Sequence, residues 1–382
     1  LARQGVVVLF LSGILQSLLG TALLAWGYHI QPNYLYIGGY FLVQNLGLLA
    51  GLWAGEPLLA RRGLSFELCL GSTVAALALV VLAFSSPPGP VWGRLIGLAL
   101  VGLGGGLLNT GGFFALAPAY ELYRAGTLNL AGMLFGLGCL MCALFLAGTF
   151  FIYTVPSILL LMAALPALAA LRFARLKLNP EPVIERPPWR DAWRDFRNPA
   201  AVLFALLLFF QFGNEGALSG WLALFLTQRL GVSPASSLVL LAWYWVALLV
   251  SRVVVQSLLR RVSHAKLLGG GVLVPMFACL VLFFTNNLFG ATLAVLLAGG
   301  GFAVILPLVM ERMGTRFPSF HPAFLSGIFG LALTGGLLAP ASLGPLANTF
   351  GIGVVAGLPL LGSIMVAVLL LLIALEAKFN AA

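Results

Sequence analysis

Charge is scarce in this chain. Asp, Glu, Lys and Arg make up 8% of its 382 residues, against about 25% in an ordinary soluble domain, and 61% are hydrophobic. Water cannot be the main solvent of such a composition, which excludes a soluble globular domain. Cysteine is scarce too: Cys69, Cys139, Cys142 and Cys279 all fall within apolar stretches, where a small polarizable side chain packs well. The Cys139-x-x-Cys142 spacing lacks the strand context of a redox motif, so neither a disulfide framework nor a metal site is expected. The three histidines, His29, His264 and His321, stand at the ends of apolar stretches or between them, where solvation is the default. Of the ten carboxylates only Glu215 is read as lying deep inside an apolar run. That leaves no dyad, metal cluster or activated nucleophile, so no catalytic residue, no cofactor and no enzymatic activity are expected.

Long apolar runs dominate instead. A spanning helix needs about 20 apolar residues, and twelve such runs are read at 6–28, 34–55, 66–85, 93–119, 127–150, 152–172, 200–228, 235–258, 265–285, 288–310, 320–342 and 352–376. The chain begins at Leu1, and its first run is too long and too poorly flanked for a cleaved signal peptide, so it reads as the first helix. The one long polar stretch, Arg172 to Pro199, mixes Pro with both signs of charge and reads as a solvated connector, with a short surface helix around Trp189 to Phe196. The expected organisation is a six-helix bundle over 1–172, a cytoplasmic linker over 173–199 and a second six-helix bundle over 200–382.

A formal charge of +10 would suit nucleic acid, but its placement does not. Arg61, Arg62, Arg124, Arg172, Arg175, Lys177, Arg186, Arg190, Arg194, Arg197, Arg260, Arg261, Lys266, Arg312, Arg316 and Lys378 lie in alternate loops or at the C-terminus, and the opposite loops have little beyond Arg229 and the flanking Arg94. This asymmetry predicts a lipid bilayer as partner and no nucleic acid, with both termini and the linker in the cytoplasm.

The two halves resemble each other in parallel. Leu58-Leu59-Ala60-Arg61 matches Leu258-Leu259-Arg260-Arg261, Gly104-Gly105-Gly106 matches Gly299-Gly300-Gly301, and Gly132 to Gly136 matches Gly327 to Gly330 with one residue fewer. Six helices repeated in parallel predict a transporter with its binding site near the midplane. The loop after the second run, Gly51-Leu52-Trp53-Ala54-Gly55-Glu56 through Leu59-Ala60-Arg61-Arg62-Gly63, is similar to the signature loop of the major facilitator superfamily. Gly102-Leu103-Gly104, Leu128-Asn129-Leu130-Ala131 with Phe135-Gly136, and Ser251-Arg252 followed by Leu258 to Leu268 resemble the fucose-permease-like sugar:proton symporters of that superfamily. The resemblance implies an all-α integral membrane protein of the plasma (inner) membrane, twelve helices in two pseudo-symmetric bundles, acting as a monomer. It implies a cytoplasmic gate built from Glu56, Arg61, Arg62 and Arg261. The pattern's usual acids are missing, since Leu107 stands where helix 4 should have one and Ser12 through Ile30 contains none.

Glu215 is therefore the first candidate for function, because an acid at membrane depth is expensive unless it faces a cavity or a partner. Gln211, Glu215 and Ser219 recur every four residues and share a helix face, with Asn214 beside them and Trp221 higher up. Arg252 reads as the only base well inside a span. Counting residues along its helix places it about 25 Å deep, too far vertically from Glu215 to pair, so it is expected to serve the gate or to snorkel to the interface. Gln16, Gln44, Asn109 and Asn129 could hydrogen-bond a hydroxylated substrate, or instead join helix to helix at about 0.6–2 kcal/mol apiece. Tyr244, on the same face as Ser251, is the aromatic best placed for a cavity.

The expected activity is alternating-access transport of a small neutral polar solute, a sugar or related polyol, with proton coupling open. Two alternatives stand beside it: export of lipophilic cations anchored by Glu215, and a ligand-sensing homologue that transports nothing.

Overall fold

The computed structural model describes residues 2–122, 124–176, 196–258, 261–317 and 327–379. Twelve helices and no strand occupy them: α1 (Ala2–Ala25), α2 (Tyr34–Arg62), α3 (Leu64–Ser85), α4 (Val91–Leu122), α5 (Arg124–Thr149), α6 (Val155–Arg175), α7 (Pro199–Leu230), α8 (Pro234–Leu258), α9 (His264–Phe284), α10 (Leu288–Arg316), α11 (Gly327–Phe350) and α12 (Val354–Phe379). All twelve are long and apolar enough to cross a membrane. The expected surface helix at Trp189, the bases Lys177, Arg186, Arg190, Arg194 and Arg260, the start of the eleventh run at 320 and His321 lie outside the described residues.

Local chemistry accounts for several helix ends. Asn33 opens α2 by accepting the Tyr36 amide at 3.1 Å, and Asn287 opens α10 by accepting that of Gly290 at 2.7 Å, each satisfying a donor the first turn leaves orphaned. Gly63, at φ +81°, is the single residue between α2 and α3. A side chain would be strained there, and glycine is not.

The chain divides into two compact units, Leu1–Ile184 with Gly231–Ala242, and Glu185–Leu230 with Trp243–Ala382. In the first, α4 packs on α1, α2, α3 and α5, while α6 packs on α3. In the second, α7 packs on α10, α11 and α12, and α9 on α10 and α12. The closest crossings are made by glycine, which lets backbones approach where no hydrophobic effect drives helices together. A methyl on Gly13 of α1 would strike the carbonyl of Phe135 on α5, and one on Gly138 that of Phe10. Gly335 of α11 meets the Phe209 carbonyl of α7 in the same way.

The second crossing type shows the register of the repeat. Gly102 of α4 rests on the Gln44 carbonyl of α2, and Gly299 of α10 on the Tyr244 carbonyl of α8. Gly104 then faces Ala75 of α3, and Gly301 faces Pro275 of α9. Gly102 thus corresponds to Gly299 and Gly104 to Gly301, two residues away from the pairing of the glycine triplets by eye. What each glycine touches sets the register, and a run of three identical residues cannot show it.

Facing outward are apolar stripes such as Leu160, Leu161, Leu165 and Leu168 on α6 and Leu361, Ile364, Val368 and Leu372 on α12, all exposed. Their three- and four-residue spacing marks one face of each helix, the face that lipid covers.

Candidate functional site

In the second unit the polar stripe of α7 reaches three other helices. The 3.6-residue turn puts Gln211, Glu215 and Ser219 on one face. Gln211, fully buried, donates through Nε2 to Glu215 Oε1 at 2.7 Å and to the Phe302 carbonyl of α10 at 3.5 Å. Its own Oε1 has no hydrogen-bond partner. Ser219 Oγ donates to the Glu215 backbone carbonyl at 2.6 Å, a bond within the helix. One residue round the turn, Asn214 Nδ2 donates to Ser363 Oγ of α12 at 3.4 Å, and Trp221 Nε1 donates to the Pro340 carbonyl of α11 at 2.9 Å. The acid itself is partly buried, while Gln211 and Asn214 on either side are buried.

From α8, Tyr244 is fully buried with its ring edge-on to Trp245, the centroids 5.1 Å apart. Ser251 Oγ donates to the Gly300 carbonyl of α10 at 2.7 Å. Arg252 is 6% exposed, and its charge and that of Glu215 act on each other; it also interacts with Tyr244. α7 is 32 residues long, about 48 Å against a hydrocarbon core of about 30 Å. Glu215 lies at the midpoint of α7.

The other expected site residues sit in the first unit or at helix ends. Gln44, buried on α2, donates to the Leu15 carbonyl of α1 at 3.4 Å. Asn129, buried on α5, makes a long 4.0 Å contact to Met133 Sδ. Gln16 and Asn109 are partly buried on α1 and α4. Glu56 is partly buried near the end of α2, where Arg61 and Arg62 are exposed and the Arg62 guanidinium lies 5.4 Å above the Phe66 ring. Arg261 is exposed just beyond α8. Gln211, Asn214, Glu215, Tyr244 and Arg252 thus share one unit, and Gln16, Gln44, Asn109 and Asn129 belong to the other.

Two buried charges escaped the sequence reading. Arg94, expected to flank a loop, is 5% exposed, so Arg252 is not the only base enclosed by helices. Its Nε donates to Tyr40 Oη at 3.0 Å and its Nη1 to the Ser85 and Gly89 carbonyls at 3.0 and 2.8 Å. Tyr40 Oη in turn meets Tyr28 Oη at 2.8 Å, so one guanidinium ties the α1–α2 loop, α2 and the α3–α4 loop together. Glu67, in the first turn of α3, is fully buried although it stands at the end of its apolar run. The one-residue turn at Gly63 brings the first turn of α3 against α2 and α4.

Helices paired one to five and two to four in both units, each through glycine, and a single stripe of amides and acid on the first helix of the second unit, invite comparison with known membrane proteins. The chain matches the Major Facilitator Superfamily model over residues 5–340. It belongs to that superfamily. Its members are transporters rather than enzymes, and the twelve apolar helices make this chain an integral membrane protein. An uncharacterized MFS-type transporter of Yersinia pestis is 24% identical over 177 residues, a match that spans 46% of this chain and 44% of that relative. Among solved structures, the nucleoside transporter NupG superposes with a TM-score of 0.71 at 14% identity, over 99% of both chains. The MFS transporter FucP in its outward conformation gives 0.64 at 16% identity over 96% of this chain and 97% of that one. A variant of the E. coli fucose:proton symporter FucP gives 0.63 at 17% identity with the same coverage. At these identities the likeness shows the fold.

Proposed function

We propose that this transporter moves a small neutral polar solute, a sugar or related polyol, by alternating access, and that Glu215 takes part in solute binding and in proton coupling. The observation that carries this reading is the Gln211–Glu215 pair at 2.7 Å, with Gln211 Oε1 left without a partner. Beside its single carboxylate the α7 stripe presents neutral amides, which suit an uncharged hydroxylated solute. Amide and carboxyl oxygens offer donors and acceptors to hydroxyl groups. Fucose and nucleosides, which the two named structural relatives carry, are uncharged and hydroxylated, in keeping with this class.

Asn129, Asn109, Gln16, Gln44, Asn214 and Tyr244 complete the proposed binding set, and Glu56, Arg61, Arg62 and Arg261 the gate. Arg252 serves that gate. The chain acts as a monomer in the plasma (inner) membrane with both termini in the cytoplasm. Uptake of radiolabelled hexoses, polyols, nucleosides and cationic dyes into proteoliposomes tests the reading. Accumulation of a hexose or polyol is the expected result. Outward movement of dye alone would make the protein an exporter, and binding without uptake of any of them would make it a sensor. Cysteines placed at Arg62 and Arg261 test the orientation: an impermeant thiol reagent should label them from the cytoplasmic side only.

A further inference from the structure

Glu67 has no role in the reading above, and it is the most enclosed acid among the described residues. Its side chain is 0% exposed and neither carboxyl oxygen has a hydrogen-bond partner. The slot that holds it is built for it. A methyl on Gly55 of α2 would stand 2.6 Å from Glu67 Oε1 and 2.8 Å from Thr110 Oγ1 of α4, so the absence of a side chain at 55 makes the space.

Among the described residues no base answers the acid. Of the helices packed on α3, α2 brings Glu56, partly buried, and Arg61 and Arg62, both exposed; α6 brings Arg172 and Arg175, both exposed. From α4 the polar neighbour is Thr110, which is neutral and already donates to Gly106 and Leu52 carbonyls at 3.2 and 3.5 Å. An ionised carboxylate without a partner in such a place is prohibitively unfavourable, and the group neutralises instead. A metal cation would need about six oxygens around it, and beside the carboxyl the slot offers one hydroxyl. The ligand this site fits is the proton. Its place in the first turn of α3 opposes burial, because a helix N-terminus favours the anion. A proton held there is therefore exchangeable once the slot opens to water.

We propose that Glu67 is a second proton-binding site of this transporter, separate from Glu215, whose bound proton holds α2, α3 and α4 together at the α2–α3 turn. Losing the proton leaves an anion that the slot cannot accommodate, and these helix ends must part to hydrate it. The site therefore joins the packing of the α2–α3 end to proton occupancy.

The test needs no substrate, so it can fail or succeed independently of the sugar reading. Infrared spectra of the purified full-length protein at neutral pH should contain a neutral-carboxyl C=O band that Glu67→Gln removes and Glu215→Gln leaves in place. Melting temperature should fall for the wild type as pH rises from mildly acidic to mildly alkaline, the acid form being the one that packs, and Glu67→Gln should flatten that dependence. An unchanged carboxyl band in Glu67→Gln, or loss of a carboxylate band instead, overturns the proposal. So does a Glu67→Gln protein that fails to fold, because the amide has the shape and neutrality of the protonated acid.

Discussion

Replacing Glu215 with Gln isolates the charge of the candidate site from its shape. In the variant the amide oxygen at 215 can still accept from Gln211 Nε2, the bond that measures 2.7 Å in the wild type. What disappears is the ionic strengthening of that bond and the attraction to Arg252. Hydrogen bonds to charged groups contribute about 1.5–3 kcal/mol and neutral ones about 1 kcal/mol, so the variant should lose about 0.5–2 kcal/mol of stability and remain folded. The effect on coupling is larger and of a different kind. One proton moving down one pH unit supplies about 1.4 kcal/mol, enough for a tenfold accumulation of a neutral solute. Wild-type protein in proteoliposomes should therefore accumulate its solute about tenfold per imposed pH unit if one proton accompanies each turnover. Glu215→Gln should bring that ratio to about one while counterflow exchange continues. A wild type that ignores the gradient, with a variant that transports equally well, reduces Glu215 to a packing acid and refutes the coupling argument.

Arg94→Met should be destabilising, by about 1–3 kcal/mol for each acceptor left without its donor, because the Ser85 and Gly89 carbonyls lose theirs while the Tyr40 hydroxyl keeps Tyr28; a melting temperature equal to wild type in detergent would show that loop network to be incidental. Gly335→Ala forces the α7–α11 crossing at the Phe209 carbonyl apart and should cost about 1–3 kcal/mol as overpacking, measured the same way, whereas Gly353→Ala, which meets nothing within 4 Å, should have little effect. His29, in the α1–α2 connection, titrates below its ordinary value of 6.5 because burial disfavours the imidazolium. The unfolded chain then binds that proton more readily, so stability should fall as pH drops below about 6.5; His29→Gln should remove this part of the acid sensitivity, and an unaltered pH–stability curve would contradict the assignment.

The readability of the candidate site divides along physical lines. The Gln211–Glu215 pair was legible because two residues four apart on a helix must meet. Its partners were not. That Asn214 reaches Ser363, that Gln211 reaches the Phe302 carbonyl, and that Arg252 lies within electrostatic range of Glu215 depend on which helices cross and at what height. A count of residues along one helix contains neither. Arg94 and Glu67 were missed for a related reason. Both stand next to turns, and proximity to a turn looks like exposure until the turn is known to fold its charge inward.

Composition and hydropathy alone determined that the chain spans a membrane with twelve helices, since every backbone polar group must be satisfied within its own helix once lipid replaces water. The parallel doubling of the chain was likewise visible, because related halves retain glycines where their backbones must touch. Tertiary structure alone decided the repeat register, with Gly102 matching Gly299 through the carbonyls of Gln44 and Tyr244. It also decided which charges are enclosed: Glu67 beneath Gly55, and Arg94 among Tyr40, Ser85 and Gly89. Apolar periodicity reports only the solvent a helix prefers. The environment of a single charge depends on the two or three helices around it, and those come from distant parts of the chain.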